Sequence, residues 1–168
     1  MSNTEMLRLI DCQQIEQSLI AYCMQLDRMD LAALAALFTD DCEVDFGDDP
    51  RLKSSGSAAL AQSMQRVWRW VRTSHHLSNV VIDFVDDDTA NVTSYVYAWH
   101  ENPDGSNATI LGRYLDRFVR QSGRWLIAQR RMEMTGNDTG FRSPIHAFER
   151  IGPPTGWSAP DIDRPPST

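Results

Sequence analysis

The hydrophobic pattern of this chain changes period once, near residue 72, and that change narrows the folds open to it. Before it, apolar residues recur at three- and four-residue intervals. Ile15, Leu19, Tyr22 and Leu26 form one helical stripe, and Ile20, Cys23, Met24 and Asp27 form an adjoining one. After it, apolar and polar residues alternate. That alternation predicts strands over 73–84, 89–101, 108–120 and 124–134. Asp86-Asp87-Asp88, Asn102-Pro103-Asp104-Gly105 and Gln121-Ser122-Gly123 supply the turns between them. Helices followed by an antiparallel meander describe an α+β domain with its helices on one face of the sheet.

Within the helical half, the spacing predicts a first helix over 7–28. Asp30 is placed to cap a second, over 31–38, which Thr39-Asp40-Asp41 ends. Glu43-Val44-Asp45-Phe46 alternates like a short strand. Ser57 is placed to cap a third helix that puts Leu60, Met64, Val67, Trp68 and Val71 on one face. Gly112, inside a strand, marks a bend or a close backbone approach. Segment 143–168 holds six of the eight prolines. The expected division is therefore a domain over 1–140 and a proline-rich tail over 141–168, lying on the domain or on a neighbouring subunit.

The length of 168 residues fits one domain. A net charge of −7 argues against a nucleic-acid surface. The arginines between Arg113 and Arg131 are interleaved with apolar residues and read as solvated sheet edges. Cys12, Cys23 and Cys42 match neither a disulfide framework nor a zinc site. No N-terminal run resembles a signal peptide and no stretch is long enough to span a membrane, so a cytoplasmic location is expected.

The segment Thr73-Ser74-His75-His76-Leu77-Ser78-Asn79 carries the strongest chemical signal. Adjacent histidines in a strand point to opposite faces, which argues against a shared metal. One of them faces the interior. Residues 75, 77, 79 and 81 share one side and 76, 78, 80, 82 and 84 the other, and alternation leaves open which side is the pocket. Asp27 ends an otherwise apolar stripe. If buried it needs a partner, and a histidine is the natural one. A carboxylate on one ring nitrogen fixes the tautomer and stabilises the imidazolium formed when the other takes a proton. Tyr22 lies five residues earlier, about 140° around the helix, and flanks the same face. Its hydroxyl could serve a substrate oxygen or simply pack.

Three features in order resemble the SnoaL-like proteins of the nuclear-transport-factor-like, cone-shaped superfamily. They are Tyr22-x4-Asp27 followed by Asp40-Asp41, Thr73-x-His75-x3-Asn79, and Gly112-Arg113-Tyr114-x-Asp116 followed by Gly123-Arg124-Trp125. The resemblance implies a strongly curved antiparallel or mixed sheet around an internal pocket, a cystatin-like α+β barrel. It is closest to the dehydratase and dehydrochlorinase branch, which works without a cofactor. It implies catalytic roles for Asp27, His75 and Tyr22, with His75 as the base. It also places Val96, Ala98, His100, Tyr114, Arg130 and Met132 at the substrate, with no metal. Ala98 is apolar where some relatives carry a polar catalytic group.

The expectation is a lyase acting on a small hydrophobic or aromatic ring compound. An isomerase or cyclase on the same pocket, or a non-catalytic binding protein, is the alternative. Relatives of that branch imply a homo-oligomer, with a trimer ahead of a dimer.

Overall fold

A computed structural model describes residues 2–138, 146–147 and 155–156. The first helix, α1 (Asn3–Arg28), begins four residues earlier than the spacing suggests. Ser2 and Glu5 form a reciprocal cap: the Ser2 hydroxyl accepts from the Glu5 N–H at 3.2 Å, and the Glu5 carboxylate accepts from the Ser2 N–H at 2.7 Å. Met29 adopts a left-handed conformation (φ 56°) that stops the helix directly after Asp27 and Arg28. Ile15, Leu19, Tyr22, Cys23 and Leu26 are buried. Ile20 and Met24 of the adjoining stripe are exposed instead, because the sheet covers only one side of α1.

Asp30 caps α2 (Leu31–Ala35) by accepting from the Ala33 N–H at 3.0 Å. The helix is shorter than expected. Strand β1 (Phe38–Asp45) already begins at Phe38, whose side chain joins the core and whose backbone pairs with Ile127. A short strand, β2 (Lys53–Ser55), pairs with β1. The third helix, α3 (Ser57–Met64), starts from Gly56 rather than from a serine cap, and Gly56 carries the φ of 91° that the turn requires. It ends at Met64 and passes into a 3-10 turn over Gln65–Arg69. Leu60 and Met64 are buried, but Trp68 and Val71 are each 59% exposed. The change of pitch takes them off the expected face.

Strands β3 (Arg72–Phe84), β4 (Thr89–Glu101), β5 (Asn107–Gln121) and β6 (Arg124–Asn137) form the antiparallel meander. β1 joins β6 in parallel, which makes the sheet mixed, and the order is β2-β1-β6-β5-β4-β3. The sheet curves but does not close: β2 and β3 remain at its ends. Burial alternates strictly along β4, where Ala90, Val92, Ser94, Val96, Ala98 and His100 all face inward.

β3 breaks the alternation. Asn79 has φ 49°, and the register with β4 slips between Ser78 and Val81. The extra residue of this bulge swaps the side on which later residues lie. Leu77 packs against the core before the bulge, and Val80, Ile82 and Phe84 after it. Both alternating sets of the sequence reading therefore contribute to the inner face, each over half the strand. Val81 ends up 53% exposed.

Gly112 is a close approach. A Cβ there would lie 2.7 Å from the Glu133 carbonyl oxygen and 2.9 Å from the Met132 Cε. The arginines of β5 and β6 are not all solvated. The Arg130 side chain is fully buried, in a bidentate pair with Asp116 at 2.8 and 2.7 Å. Of the expected tail, His146–Ala147 pairs with β6 in parallel as β7, and the His146 Nε2 lies 2.9 Å from Asp45. The rest of 141–168, apart from residues 155 and 156, lies outside the described residues.

Candidate functional site

The last turn of α1 lies against the start of β3, and this contact creates the central side-chain constellation. The Asp27 carboxylate accepts three hydrogen bonds. The Thr73 hydroxyl donates to Oδ1 at 2.7 Å, the His75 backbone N–H to Oδ2 at 3.0 Å, and the His75 ring Nδ1 lies 2.6 Å from Oδ1. Because the carboxylate only accepts, Nδ1 carries the proton and Nε2 is the basic nitrogen. Burial alone would raise the Asp27 pKa. The ring and backbone hydrogen bonds from His75, its charge and the Thr73 hydroxyl overcome this and hold it below the ordinary value of 3.8. The His75 side chain is 6% exposed. His76 points the other way, with its ring nitrogen 2.9 Å from the Ser74 hydroxyl and its ring beside Tyr97.

His75, Ala98 and Ile110 are register partners and form one row across three strands of the inner face. The short Ala98 side chain leaves room beside the imidazole. His100, one inward position further along β4, meets the His75 ring nearly edge-on at 5.6 Å and lies 4.9 Å from the Trp70 ring. Its Nδ1 donates to the Ala108 carbonyl at 3.2 Å. Burial, reinforced by the nearby His75, lowers the His100 pKa to about 4, so this ring is neutral near pH 7.

These residues open onto a cavity of about 130 Å³. Tyr22 and Leu26 of α1 and Tyr114 and Met132 of the sheet line it, as do Phe46 and Leu52 from the connection between β1 and β2. The remaining wall comes from the end of α3 and its 3-10 turn: Met64, Arg66, Val67, Arg69 and Trp70. Of the residues that the resemblance points to, Tyr22, His75, Ala98, His100, Tyr114 and Met132 lie together around the cavity, and Asp27 holds His75. Val96 and Arg130 do not line the cavity. Val96 is buried one row away, opposite Leu77 and Gly112. Arg130 lies behind the wall with its guanidinium carbon 4.1 Å from the Tyr22 ring centre and 4.2 Å from that of Tyr114. Burial would lower its pKa, but Asp116 raises it and keeps the guanidinium charged.

Sequence reasoning missed Arg66, Arg69 and Trp70. A continued α-helix hides them. In a 3-10 turn residues three apart eclipse, so Arg66 falls in line with Arg69 and Val67 with Trp70. The break after Met64 was the missing signal. A larger surface groove of about 540 Å³ is lined by groups including Glu43, Asp83, Arg117 and Arg131, and contains neither member of the Asp27–His75 pair. Among the described residues no group of three or more His, Cys, Asp or Glu side chains is arranged to hold a metal.

An α+β cone whose inner cavity meets an Asp–His pair defines the class. The chain belongs to the SnoaL-like domain family, whose model matches residues 7–131. Among solved structures it is similar to a candidate scytalone dehydratase from Novosphingobium aromaticivorans DSM 12444. The TM-score is 0.80 and the identity 30%, over 86% of this chain and 97% of that one. It shares its fold with the hexachlorocyclohexane dehydrochlorinase LinA-type3 from Novosphingobium barchaimii LL02 (TM-score 0.71, 19% identity, 89% and 99% covered). It also shares it with a cystatin-like protein of unknown function from Nostoc punctiforme (TM-score 0.64, 23% identity, 75% and 92% covered). No curated protein matches the chain.

Proposed function

We propose that the chain is a cofactor-independent lyase that eliminates water or halide from a compact hydrophobic ring compound. The observation that carries this reading is the Asp27–His75 hydrogen bond at 2.6 Å, made by a histidine that also lines the cavity. The Nε2 of His75 takes a proton from the carbon next to the one bearing the leaving group. The C–H electrons become the new double bond, and the leaving group departs with its bonding pair. Asp27 offsets the charge of the imidazolium so formed.

Tyr22 is the donor to the departing group. Burial raises its phenol pKa above the ordinary value, against the pull of Arg130, so the hydroxyl keeps its proton. The Arg130 charge behind the ring polarises that O–H toward developing negative charge. His100, kept neutral by burial, adds no positive charge beside the imidazolium. The dehydratase and dehydrochlorinase names of the structural neighbours support elimination as the reaction class.

The test is a mass-resolved screen of hydroxylated and halogenated single-ring compounds. A product lighter than its substrate by the leaving group is expected. A product of unchanged mass would replace the lyase by an isomerase on the same pocket.

The protein is further read as a homo-oligomer, with a trimer ahead of a dimer. Tyr97 and Leu111, register partners on the outward side of β4 and β5, are 46% and 43% exposed and offer apolar surface for such an assembly. Light scattering coupled to size exclusion should give three times the chain mass of 19.1 kDa. A single-chain mass would remove this reading.

A further inference from the structure

The cavity wall holds two cations without a counter-ion among the described residues. Arg66 is half-buried, and both its hydrogen bonds run from Nη1 to neutral oxygens of Ser63, the carbonyl at 2.8 Å and the hydroxyl at 2.5 Å. A guanidinium has five N–H donors, so most of them are not taken by protein acceptors among the described residues. Among the described residues no carboxylate lies within ion-pair distance of Arg66 or Arg69. Arg8, Arg51, Arg72, Arg113, Arg120, Arg130 and Arg131 all have one. The Arg66 guanidinium is 5.5 Å from the Phe46 ring centre, and that of Arg69 is 4.5 Å from the Trp70 ring centre. Such contacts hold a cation in place and leave its charge intact.

The surroundings do not neutralise this charge. Burial disfavours the charged form of Arg66, and the groups that act on it most after that are Tyr22, Arg69 and Tyr114. Both tyrosines are themselves driven toward the protonated, neutral form. Asp27 is occupied by Thr73 and His75. A protein of net charge −7 therefore lines its cavity with local positive charge. Arg69 is exposed and meets solvent, whereas Arg66 is half-buried. A leaving group develops charge only in transit, and a half-buried cation in the resting protein calls for a permanent anion.

We propose that the substrate carries a carboxylate, which seats on Arg66 with Arg69 beside it, while its ring lies against Leu26, Ile110 and Met132. This deepens the reading above and rests on the cavity being the substrate pocket, not on the elimination step. The volume of about 130 Å³ is close to the roughly 150 Å³ at which an apolar cavity admits benzene, so a single-ring acid fits best.

Benzoate and its neutral analogue benzamide test the assignment, titrated into the full-length protein and followed by calorimetry. Charge-assisted bonds of this kind predict that benzoate binds about 10–100-fold more tightly. Arg66→Gln should abolish the difference by weakening benzoate far more than benzamide, and Arg66→Lys should keep part of it. Circular dichroism checks that both variants fold, and the wild-type comparison stands without them. Equal binding of the two probes, binding of neither, or full benzoate preference in Arg66→Gln would overturn the proposal. Asp27→Asn separates the two readings. A variant that still prefers benzoate supports the charge assignment even if no compound is ever turned over.

Discussion

Asp27 shows how much of this site one residue organises. It ends a helix, accepts from a hydroxyl, a backbone N–H and a ring N–H, and so fixes both the position of β3 and the tautomer of His75. Its lowered pKa has a consequence for stability. A carboxyl group whose folded value is depressed stabilises the fold above its unfolded value, and that contribution disappears as pH falls through the folded value. The stability difference between wild type and Asp27→Ala should therefore shrink as the pH falls below the ordinary 3.8. Urea titrations at a series of pH values measure it, and a difference that grows in acid would contradict it. The residue types were legible in the sequence, but their pairing was not. Periodicity put Asp27 on a stripe with Ile20 and Met24, which are exposed, and left His76 as an equal candidate. The family resemblance selected His75, and the hydrogen-bond geometry is consistent with that selection.

At the scale of elements, the four strands of the meander were readable to within three residues at either end, whereas β1 was read five residues short at its start and β2 was not read. Alternation along β4, from Thr89 to Glu101, has no interruption. Elements that change geometry partway were not readable. The bulge at Asn79 lets both alternating sets face the core in turn, and the 3-10 turn after Met64 delivers Arg66 and Arg69 to the cavity. Neither break involves a proline, or a glycine within it, so the usual punctuation is missing. Gly112 did signal its role, and the contact is severe because one of the atoms is backbone, which cannot rotate away. Gly112→Ala should cost about 1–3 kcal/mol of stability and disturb the Tyr114–Met132 wall of the cavity. Thermal denaturation tests the first part. An unchanged melting temperature would mean that β5 and β6 can separate locally at no cost.

Across the whole molecule, the single change of period was enough to place helices before sheet and to define an α+β fold. It did not reveal the parallel pairing of β1 with β6, because that contact joins the helical half to the last strand of the meander. Nor could it show that Arg130 is buried, since its charge is compensated by Asp116, fourteen residues away. The resulting interior has three distinct electrostatic parts. Asp116 and Arg130 form a sealed pair behind the wall, Asp27 and His75 a largely buried pair at its edge, and Arg66 and Arg69 a positive surface with no carboxylate partner among the described residues. The reaction we assign depends on the second of these. Its most direct test is the rate of elimination by wild type, Asp27→Asn and His75→Ala on a compound identified by mass. The account predicts a loss of about 10²–10⁴-fold in each variant with the fold intact. Either variant turning over at the wild-type rate would contradict it.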